Sequence, residues 1–444
     1  MEQAFLDYYR CPDQFADFGL SNDFHANPIC DVSSGTNGQV EMSLCSLDEM
    51  SVLSFEGATC SLPFNLSEVA DSLRFERYVN GTGKTGWKRL VRQAYYFLRP
   101  ALPVPIRRHL QRVSLKGWDT TPFPQWPVDR TVDRMFETGM AISLRAHQCI
   151  IPFVWFWPEG KAGCAIMTHD VETASGLDFV GELMDIDDSF GIKSSFQIIP
   201  ESRYRTGEDV LATIRRRGFE INVHDLKHDG HLFDEQTQFR EQAVRINQYA
   251  AKFGSRGFRS GILYRRLDWY DAFEFSYDMS VPNVGHLDPQ PGGCCTVMPF
   301  FVGNILELPL TTVQDYSLFN ILRTYSTDLW QQQIDLISQG HGLMSFNVHP
   351  DYLDNTRAKN SYKDLLHTLA TLRSTADLWT PLPGEVDAWW RQRSEMQVTA
   401  DGSGWRIQGP GAERARLAFA TLVDDTVRYS VAPAACCYAS EASL

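Results

Sequence analysis

The 444-residue sequence predicts an α/β protein built on a sheet of mainly parallel strands. Short runs of four to seven mostly apolar residues alternate with helical segments between residues 164 and 348. Uninterrupted apolar runs between helices are typical of parallel strands that are covered on both faces. Polar residues follow several of these runs at once, where the carboxyl ends of parallel strands gather in such folds. Together these observations favour an α/β layer or barrel.

The predicted elements follow one another in a regular order. The strands are CAIMT (164–168), SSFQII (194–199), FEINV (219–223), GFRS (257–260), ILELPL (305–310) and GLMSFNV (342–348). The helices between the first four strands are LDFVGELMDIDDSF (177–190), EDVLATIRRRG (208–218) and DEQTQFREQAVRINQYAAKFG (234–254). Parallel neighbours need a crossover of a dozen or more residues, and these helical segments supply it.

The two ends of the chain follow a different pattern. Residues 1–130 are predicted as an irregular N-terminal region that closes with the Pro-rich linker TTPFPQWPVD. Residues 131–392 hold the strand–helix alternation and end in a last helix, PGEVDAWWRQRS. Residues 393–444 are predicted as a small β appendage with the short strands EMQVTA, GWRIQG, ARLAFATL and DTVRYSV.

Composition limits the function classes. The formal net charge of −14 argues against a protein whose whole surface binds nucleic acid. The sequence has no run of about 18 apolar residues and opens without a basic and apolar leader, so we expect a cytoplasmic protein with no membrane-spanning helix. The ten cysteines include no CxxC pair, which favours buried thiols in a reducing compartment.

A basic and aromatic segment stands out within this acidic chain. No acidic residue occurs between Arg77 and Trp118, whereas nine lysines and arginines lie within 84–116. One interpretation is peripheral contact of residues 84–116 with an anionic membrane or a lipid-linked partner. The other is a solvated basic face that pairs with acids elsewhere in the fold.

A histidine pair predicts a metal site. His224 follows the strand FEINV directly, and His228 is four residues further on. If the chain turns helically after the strand, both rings lie on one face, about 5–6 Å apart at Cβ, which suits two imidazoles on one cation. His231 comes after Gly230, which is expected to break the turn before it. The alternative is that these histidines are solvated or satisfied within the core.

Two acids can complete such a site. Asp170 and Glu172 follow CAIMT at positions i and i+2 of an extended strand end, so both can face one side while Val171 faces the other. One carboxylate can bind the metal while the other stays free as a base. Two further strand ends carry Arg259 and His349, which makes four strand ends with polar residues of this kind.

This ordered set resembles the polysaccharide deacetylases of carbohydrate esterase family four. Their Thr-Phe-Asp-Asp motif corresponds to Thr168-His169-Asp170-Val171, and His-Ser/Thr-x-x-His corresponds to His224-Asp225-Leu226-Lys227-His228. Arg-x-Pro-x-Gly is partly present as Arg259-Ser260-Gly261, and the closing strand-end histidine is His349. The fourth motif of the family is the least clear in this sequence, and Asp315 in TTVQDY is the candidate for it. Val171 stands where the family has a metal-binding Asp, and Glu172 would take that role.

The resemblance covers about residues 150 to 380 and implies a fold and a set of roles. The fold is an incomplete (β/α) barrel of the polysaccharide deacetylase type. Glu172, His224 and His228 would bind Zn²⁺ or another divalent metal. Asp170 would act as the base, His349 as the acid, and Arg259 would hold Asp170 ionised. The implied reaction is removal of an N-acyl group, acetyl in the first instance, from a glycan or a lipid-linked sugar.

Other functions use parts of the same pattern. A catalytically inactive relative would keep the barrel and bind a glycan, which the Val171 substitution and the incomplete arginine motif favour. A deformylase or another amidase would use the same residues as a deacetylase. A two-histidine, one-carboxylate iron oxygenase is disfavoured, because this chain alternates strands with helices.

Overall fold

The computed structural model describes most of the chain. The described residues are 2–20, 55–56, 59–62, 64–81, 104–402 and 404–433. They divide into two compact units. One unit is drawn from the segments Lys84–Arg130 and Lys161–Ala388. The other is drawn from Met1–Gly83, Thr131–Gly160 and Trp389–Leu444. Residues 131–160, predicted within the barrel segment, therefore group with the two ends of the chain. Where independently folding domains begin and end, predicted at residues 130 and 392, stays a prediction.

The helices mostly fall in the gaps between strands. The α-helices of the described residues are α1 (Gln3–Tyr9), α2 (Leu66–Arg74), α3 (Val104–Ser114), α4 (Thr131–His147), α5 (Ala174–Ser189), α6 (Glu208–Arg216), α7 (Gln236–Phe253), α8 (Asp328–Ser338), α9 (Thr356–Thr375) and α10 (Pro383–Glu395). Helices α5, α6 and α7 match the three predicted crossovers, and α10 matches the predicted last helix. Within this part of the chain, no helix is long and apolar enough to cross a membrane.

The strands fall into one large sheet and several small ones. They are β1 (Phe18–Leu20), β2 (Phe55–Glu56), β3 (Thr59–Leu62), β4 (Ile151–Val154), β5 (Gly163–Val171), β6 (Ser194–Ile198), β7 (Glu220–His224), β8 (Gly257–Arg259), β9 (Tyr277–Asp278), β10 (Phe300–Val302), β11 (Ile305–Glu307), β12 (Leu343–Asn347), β13 (Leu378–Trp379), β14 (Gln397–Asp401), β15 (Gly404–Gln408), β16 (Leu417–Val423) and β17 (Thr426–Val431).

The large sheet carries the candidate site. Its strand order is β10-β11-β9-β8-β7-β6-β5-β12, and β13 pairs with the start of β5. Every pairing is parallel except that of β10 with β11. This is the mostly parallel α/β sheet that the sequence predicted. Strands β9, β10 and β13, which span only two or three residues each, were not predicted.

Both faces of the large sheet are covered, which explains the apolar strand sequences. All nine residues of β5 and all five residues of β6 and β12 are buried. One contiguous apolar core packs against the sheet and includes Phe196, Val223, Phe258 and Phe346. Buried strands of this kind hold their carboxyl ends rigidly, which suits a precise constellation of side chains.

Helix α5 begins directly after the acid pair of the first strand. The Thr173 hydroxyl accepts a hydrogen bond from the Gly176 N–H at 3.3 Å and thereby caps the helix. The backbone N–H of Glu172 donates to Asp351 at 2.9 Å. These contacts fix the chain where it leaves β5, so Glu172 is held at the end of the sheet.

Small sheets account for the predicted C-terminal strands. Strands β14 and β15 form an antiparallel pair, and β17-β16-β4 form a second, three-stranded antiparallel sheet. A small additional antiparallel sheet is therefore confirmed. It is not made from the C-terminal residues alone, because Ile151–Val154, which precedes the large sheet in sequence, pairs with Leu417–Ala420.

Candidate metal and catalytic site

The carboxyl ends of four strands of the large sheet bring the predicted residues together. Asp170 lies one residue before the end of β5, His224 ends β7 and Arg259 ends β8. Glu172 follows β5 directly, and His349 is two residues beyond β12. The structure therefore places these residues together at the carboxyl ends of the strands.

Three side chains are arranged so that they could hold a cation. The ligand atoms of Glu172, His224 and His228 all lie within 4.8 Å of one another. Both histidines are buried, and neither Nε2 atom has a hydrogen-bond partner. His228 Nε2 is 3.0 Å from Glu172 Oε1, but the contact lacks hydrogen-bond alignment. Because buried polar atoms are nearly always satisfied, two unsatisfied imidazole nitrogens beside a carboxylate fit a metal ion.

The histidine pair does not lie on a helical turn, contrary to the prediction from the sequence. Asp225 and His228 both adopt left-handed backbone conformations, with φ of 58° and 53°. Their rings nevertheless lie with centroids 4.8 Å apart. The prediction of two imidazoles side by side was correct and its helical explanation was wrong, since this loop turns through left-handed residues instead.

Gly261 allows this loop to pack against the end of β8. Its N–H donates to Asp225 Oδ2 at 3.2 Å. A Cβ at this position would lie 2.5 Å from Asp225 Oδ2 and 3.0 Å from His228 Cδ2. The glycine of the incomplete arginine motif thus leaves the space in which the second histidine stands.

The second nitrogen of each histidine has a defined neighbour. His224 Nδ1 is 3.0 Å from the carbonyl oxygen of Arg259 and must donate to it, which leaves the Nε2 lone pair for a metal. His228 Nδ1 instead faces Arg203 Nη2 at 3.2 Å. A guanidinium can only donate, so metal binding at His228 Nε2 requires this contact to be given up. Arg203 Nη2 then keeps its 2.5 Å hydrogen bond to the His228 carbonyl.

Asp170 is held ionised at the centre of the site. Arg259 Nη1 donates to Oδ1 at 2.9 Å, and Asn347 Nδ2 donates to Oδ2 at 2.7 Å. Burial by itself raises the pKa of Asp170, but the Arg259 guanidinium and then the nearby imidazoles outweigh burial and lower the pKa to about 2. The predicted pairing of Arg259 with Asp170 is therefore observed in the geometry.

Arg259 is itself fixed by the strands on either side of the site. It is fully buried, and its Nε donates to the Met279 carbonyl at 3.0 Å. Its Nη1 also donates to the Thr168 hydroxyl at 2.8 Å. The guanidinium thus bridges the residue directly after β9 to strand β5, which carries Asp170, and so orients that carboxylate.

His349 is paired with the weakest candidate of the sequence analysis, Asp315. The two side chains approach to 2.7 Å between Nδ1 and Oδ1. Burial by itself lowers the pKa of His349, but the Asp315 carboxylate and then the other acids of the site raise the pKa to about 10. His349 Nε2 lies 3.8 Å from oxygens of both Asp170 and Glu172. A proton-bearing imidazole thus faces the two acids.

Glu172 marks the side on which the site meets solvent. Its side chain is 21% exposed, whereas those of Asp170, His224 and His349 are 4% exposed or less. Tyr352 OH donates to Glu172 Oε2 at 3.4 Å. Burial raises the pKa of Glu172, but the His228 imidazole lowers it well below its usual range, and solvent screens part of this effect.

A second buried polar network lies on the other face of β5 and was missed in the sequence. His169 Nδ1 donates to the Val348 carbonyl at 2.7 Å, directly before His349. Its Nε2 is 3.1 Å from Asp187 Oδ2, which also accepts from the Ser194 hydroxyl at 2.6 Å. His169 and Asp187 are fully buried. The strand alternation of β5 could have indicated that His169 points away from Asp170.

All six predicted site residues thus converge, whereas His231 does not join them. His231 Nδ1 contacts Asp234 Oδ2 at 2.8 Å, and its side chain is 44% exposed. The sequence did not predict that Asn347, Thr168 and Tyr352 contact the site residues, although Asn347 lies two residues before His349 at the end of a buried strand. A buried amide at a strand end was the available signal.

Comparisons with known proteins find similar solved structures at low sequence identity. No protein-family model and no curated protein matches the sequence. Among solved structures, a protein assigned as a polysaccharide deacetylase from Mycobacterium smegmatis is 17% identical with a TM-score of 0.43, covering 56% of this chain and 96% of its own. The peptidoglycan deacetylase PdaC from Bacillus subtilis is 9% identical with a TM-score of 0.34, covering 53% and 95%.

A mutant of a pseudoenzyme of family CE4 with restored enzymatic activity is also similar. It is 13% identical with a TM-score of 0.32, and the match covers 50% of this chain and 67% of that one. The chain is therefore structurally similar, at low identity, to polysaccharide deacetylases of family CE4, as its motifs predicted.

Proposed function

We propose that this protein is a metal-dependent amide hydrolase that removes an N-acyl group, acetyl in the first instance, from a sugar of a glycan. The observation that carries the proposal is the pair of buried, unsatisfied Nε2 atoms of His224 and His228 beside Glu172. Asp170 and His349 stand next to that group, within 3.8 Å of it or of each other. Metal-assisted hydrolysis uses a metal site with a carboxylate base and a protonated imidazole beside it.

Glu172, His224 and His228 would hold the metal, for which Zn²⁺ is the first candidate. Two imidazoles and one carboxylate form a donor set that zinc favours, and three protein ligands leave a position for substrate or water. When bound, the ion would act as a Lewis acid and make a water molecule easier to deprotonate. His224 meets the requirement for a neutral ligand, because burial lowers its pKa.

Asp170 would accept the proton of the attacking water. Its Oδ2 faces the site, 3.7 Å from His224 Nε2 and 3.8 Å from His349 Nε2. Arg259 donates to Oδ1 and Asn347 donates to Oδ2, which fixes the orientation of the carboxylate. A pKa of about 2 keeps Asp170 ionised across the physiological range.

His349 would protonate the leaving amine at Nε2. A pKa of about 10 keeps this imidazole charged at neutral pH. In this charged form, Nε2 carries a proton that can pass to the amine nitrogen as its bond to the acyl carbon breaks. Asp315 would stabilise the charge and hold the ring so that Nε2 faces the bond that breaks.

The sugar part of the proposal is supported by the order of the motifs along the sequence. Two half-buried aromatic rings, Tyr316 and Tyr352, lie with centroids 5.3 Å apart beside the exposed edge of Glu172. Aromatic faces of this kind offer apolar surface to a sugar ring. A glycan chain would therefore approach from the side on which Glu172 meets solvent.

The alternative is an inactive protein that binds a glycan with the same barrel. It is favoured by Val171, whose side chain is part of the buried apolar core and cannot bind a metal. Glu172 offers a ligand atom in its place, which weakens this alternative. The two possibilities differ in whether the protein takes up metal and turns over substrate.

Metal content of the purified protein is the first experiment. We expect about one divalent ion per chain, lost in His224→Ala and kept in the control His231→Ala, whose imidazole lies in the same loop but outside the group. Release of acetate from N-acetylated oligosaccharides should then require the metal. Asp170→Asn should keep the metal and lose turnover. Wild-type protein that takes up neither zinc nor another divalent ion would overturn the proposal and leave the glycan-binding alternative.

A further inference from the structure

Helix α3 (Val104–Ser114) presents an apolar face to solvent. Ile106 is 46% exposed, Leu110 is 40% exposed and Val113 is 57% exposed. Their spacing of four and then three residues places them on one face of the helix. Exposure of such a face to water is unfavourable, because burial of each aliphatic side chain lowers the free energy.

This face is unusual within the described part of the chain. The exposed large hydrophobic residues there are Ile106, Leu110, Val113, Ile150, Val244, Tyr325 and Val423. Three of them share helix α3, whereas the other four are far apart from one another in the sequence. Single exposed apolar residues need no explanation, but a cluster on one helix face indicates a contact.

The charge of the surrounding sequence indicates the kind of contact. The helix itself contains Arg107, Arg108 and Arg112, and Lys116 follows it. His109 and Lys116 are exposed. No acid occurs from Arg77 to Trp118, although the whole chain carries a formal net charge of −14. A basic amphipathic helix with aliphatic residues on one face matches an anionic bilayer surface, where apolar groups enter between lipids and cations meet phosphates.

The helix is connected to the candidate site by a short chain of contacts. Gln111 accepts a hydrogen bond from the Tyr316 hydroxyl. The Tyr316 ring lies against the Tyr352 ring, and Tyr352 donates to Glu172. Asp315, the partner of His349, is the residue directly before Tyr316. The side on which Glu172 meets solvent is therefore close to the helix.

We propose that helix α3 docks this protein on an anionic lipid bilayer. The side of the candidate site on which Glu172 meets solvent then lies beside the membrane surface. This docking, which rests on the proposed deacylase function, assigns the substrate class: a lipid-linked glycan held at the bilayer. The aliphatic face provides insertion into the interface, and the basic segment provides attraction to the lipid phosphates. A substrate tethered to the same bilayer would reach the edge at Glu172 without leaving the membrane.

Vesicle co-sedimentation of the full-length protein tests the docking. We expect binding to vesicles of phosphatidylcholine with phosphatidylglycerol, weaker binding to phosphatidylcholine alone, and loss of binding at high salt. Leu110→Asp with Val113→Asp should weaken binding by roughly tenfold or more, since burial of one aliphatic side chain is worth at least that factor. The matched control is Val244→Asp, because Val244 is also 57% exposed on a helix but stands outside the basic segment.

The outcomes separate docking from chemistry. Binding is measured with the Asp170→Asn variant as well, so a failure of the deacylase proposal would leave the docking result intact. Equal sedimentation of the wild type and the Leu110→Asp, Val113→Asp variant would overturn the docking. The docking would also be overturned if the wild type bound no vesicles and the double variant changed from dimer to monomer. The apolar face of α3 would then be a contact between copies of the chain. The substrate assignment requires that the double variant lose activity on a membrane-bound N-acetylated glycolipid while keeping it on a soluble oligosaccharide.

Discussion

Asp315 binds both the ring and the backbone of His349. Its Oδ1 lies 2.7 Å from His349 Nδ1, and its Oδ2 accepts a hydrogen bond from the His349 backbone N–H at 2.8 Å. One buried carboxylate therefore fixes where the histidine stands and how its ring is turned. The free nitrogen, Nε2, is left to face Asp170 and Glu172 at 3.8 Å.

Removal of the Asp315 charge should move the pH dependence of turnover. The Asp315 carboxylate is the largest influence that raises the pKa of His349, which reaches about 10. Asp315→Asn should therefore lower this pKa, so that the proposed acid loses its proton at a lower pH. We expect the alkaline limb of the rate profile to shift downward by at least about one pH unit, the effect of a nearby opposite charge. Rates measured across the alkaline range with metal-saturated protein check this.

The same variant should also change stability in the alkaline range. A histidine whose folded pKa is raised from 6.5 to about 10 contributes stability that is complete below pH 6.5 and lost as the pH rises through 10. The free energy of unfolding of the wild type should therefore fall more steeply over this interval than that of Asp315→Asn. Parallel curves for the two proteins would contradict the raised pKa of His349.

Gly261→Ala should weaken metal binding without touching a ligand. The added Cβ would meet Asp225 Oδ2 at 2.5 Å and His228 Cδ2 at 3.0 Å, so the loop that carries His228 has to move. Loss of support around a ligand typically costs 10–100-fold in metal affinity, and we expect roughly that loss here. Zinc titration against a competing chelator measures it.

Gly207→Ala is the control for this substitution. Gly207 has a φ of −74°, and a Cβ there would meet nothing within 4 Å. It should bind zinc as the wild type does. Unchanged zinc affinity in both variants would mean that the loop around His228 yields freely and that its packing on Gly261 has no role in the site.

The site was predictable where side chains follow long buried strands. CAIMT, FEINV and SFNV are apolar runs, so the polar residues after them had to lie at one edge of a parallel sheet. Strand position alone predicted Asp170, His224 and His349, without knowledge of side-chain contacts. It also gave the pairing of Asp170 with Glu172, because alternation along an extended strand end is a local property.

The rest depended on contacts that no local pattern encodes. Asp315 lies in an irregular segment, and it meets His349 across 34 residues of sequence. The loop between His224 and His228 depends on left-handed residues that were not glycines, so a helical turn was the simpler and wrong expectation. Pairing of β4 with β16 joins segments more than 260 residues apart, which a pattern of short strands could not reveal.

His169→Leu should slow turnover while sparing the metal. The leucine would leave the Val348 carbonyl without its 2.7 Å donor and Asp187 without its histidine contact. Loss of one partner of a buried polar group costs about 1–3 kcal/mol, and the free energy of unfolding should fall by that amount. Because Val348 precedes His349, we expect kcat to fall more than KM rises. Asp187 keeps hydrogen bonds from Ser194 and Tyr362, so the fold should persist.

A control for this network is Ser194→Ala, which removes one hydrogen bond to Asp187 but leaves the contact to Val348. It should lower stability with little effect on kcat. If His169→Leu had a wild-type kcat at a temperature where it is folded, His169 would serve stability alone and would not position His349.

Glu172, and not the residue before it, should decide whether the metal binds. Glu172→Gln keeps the length of the side chain but removes the charge, and we expect zinc to be lost or bound far more weakly. Val171→Asp places a carboxylate where the deacetylase motif has its metal-binding Asp. Val171 is fully buried in the apolar core, so this substitution should not strengthen zinc binding. It should instead lower the free energy of unfolding by about 3–5 kcal/mol, the cost of an uncompensated buried charge.

The double variant Val171→Asp, Glu172→Gln separates the two possible ligands directly. If the aspartate could reach the metal, it would restore the zinc that Glu172→Gln loses. We expect no restoration, because strand alternation turns residue 171 to the opposite side from Asp170 and Glu172. Zinc content measured below the unfolding temperature of each variant checks this. Recovered zinc in the double variant would show that β5 can rotate its end, and Glu172 would then be a replaceable ligand.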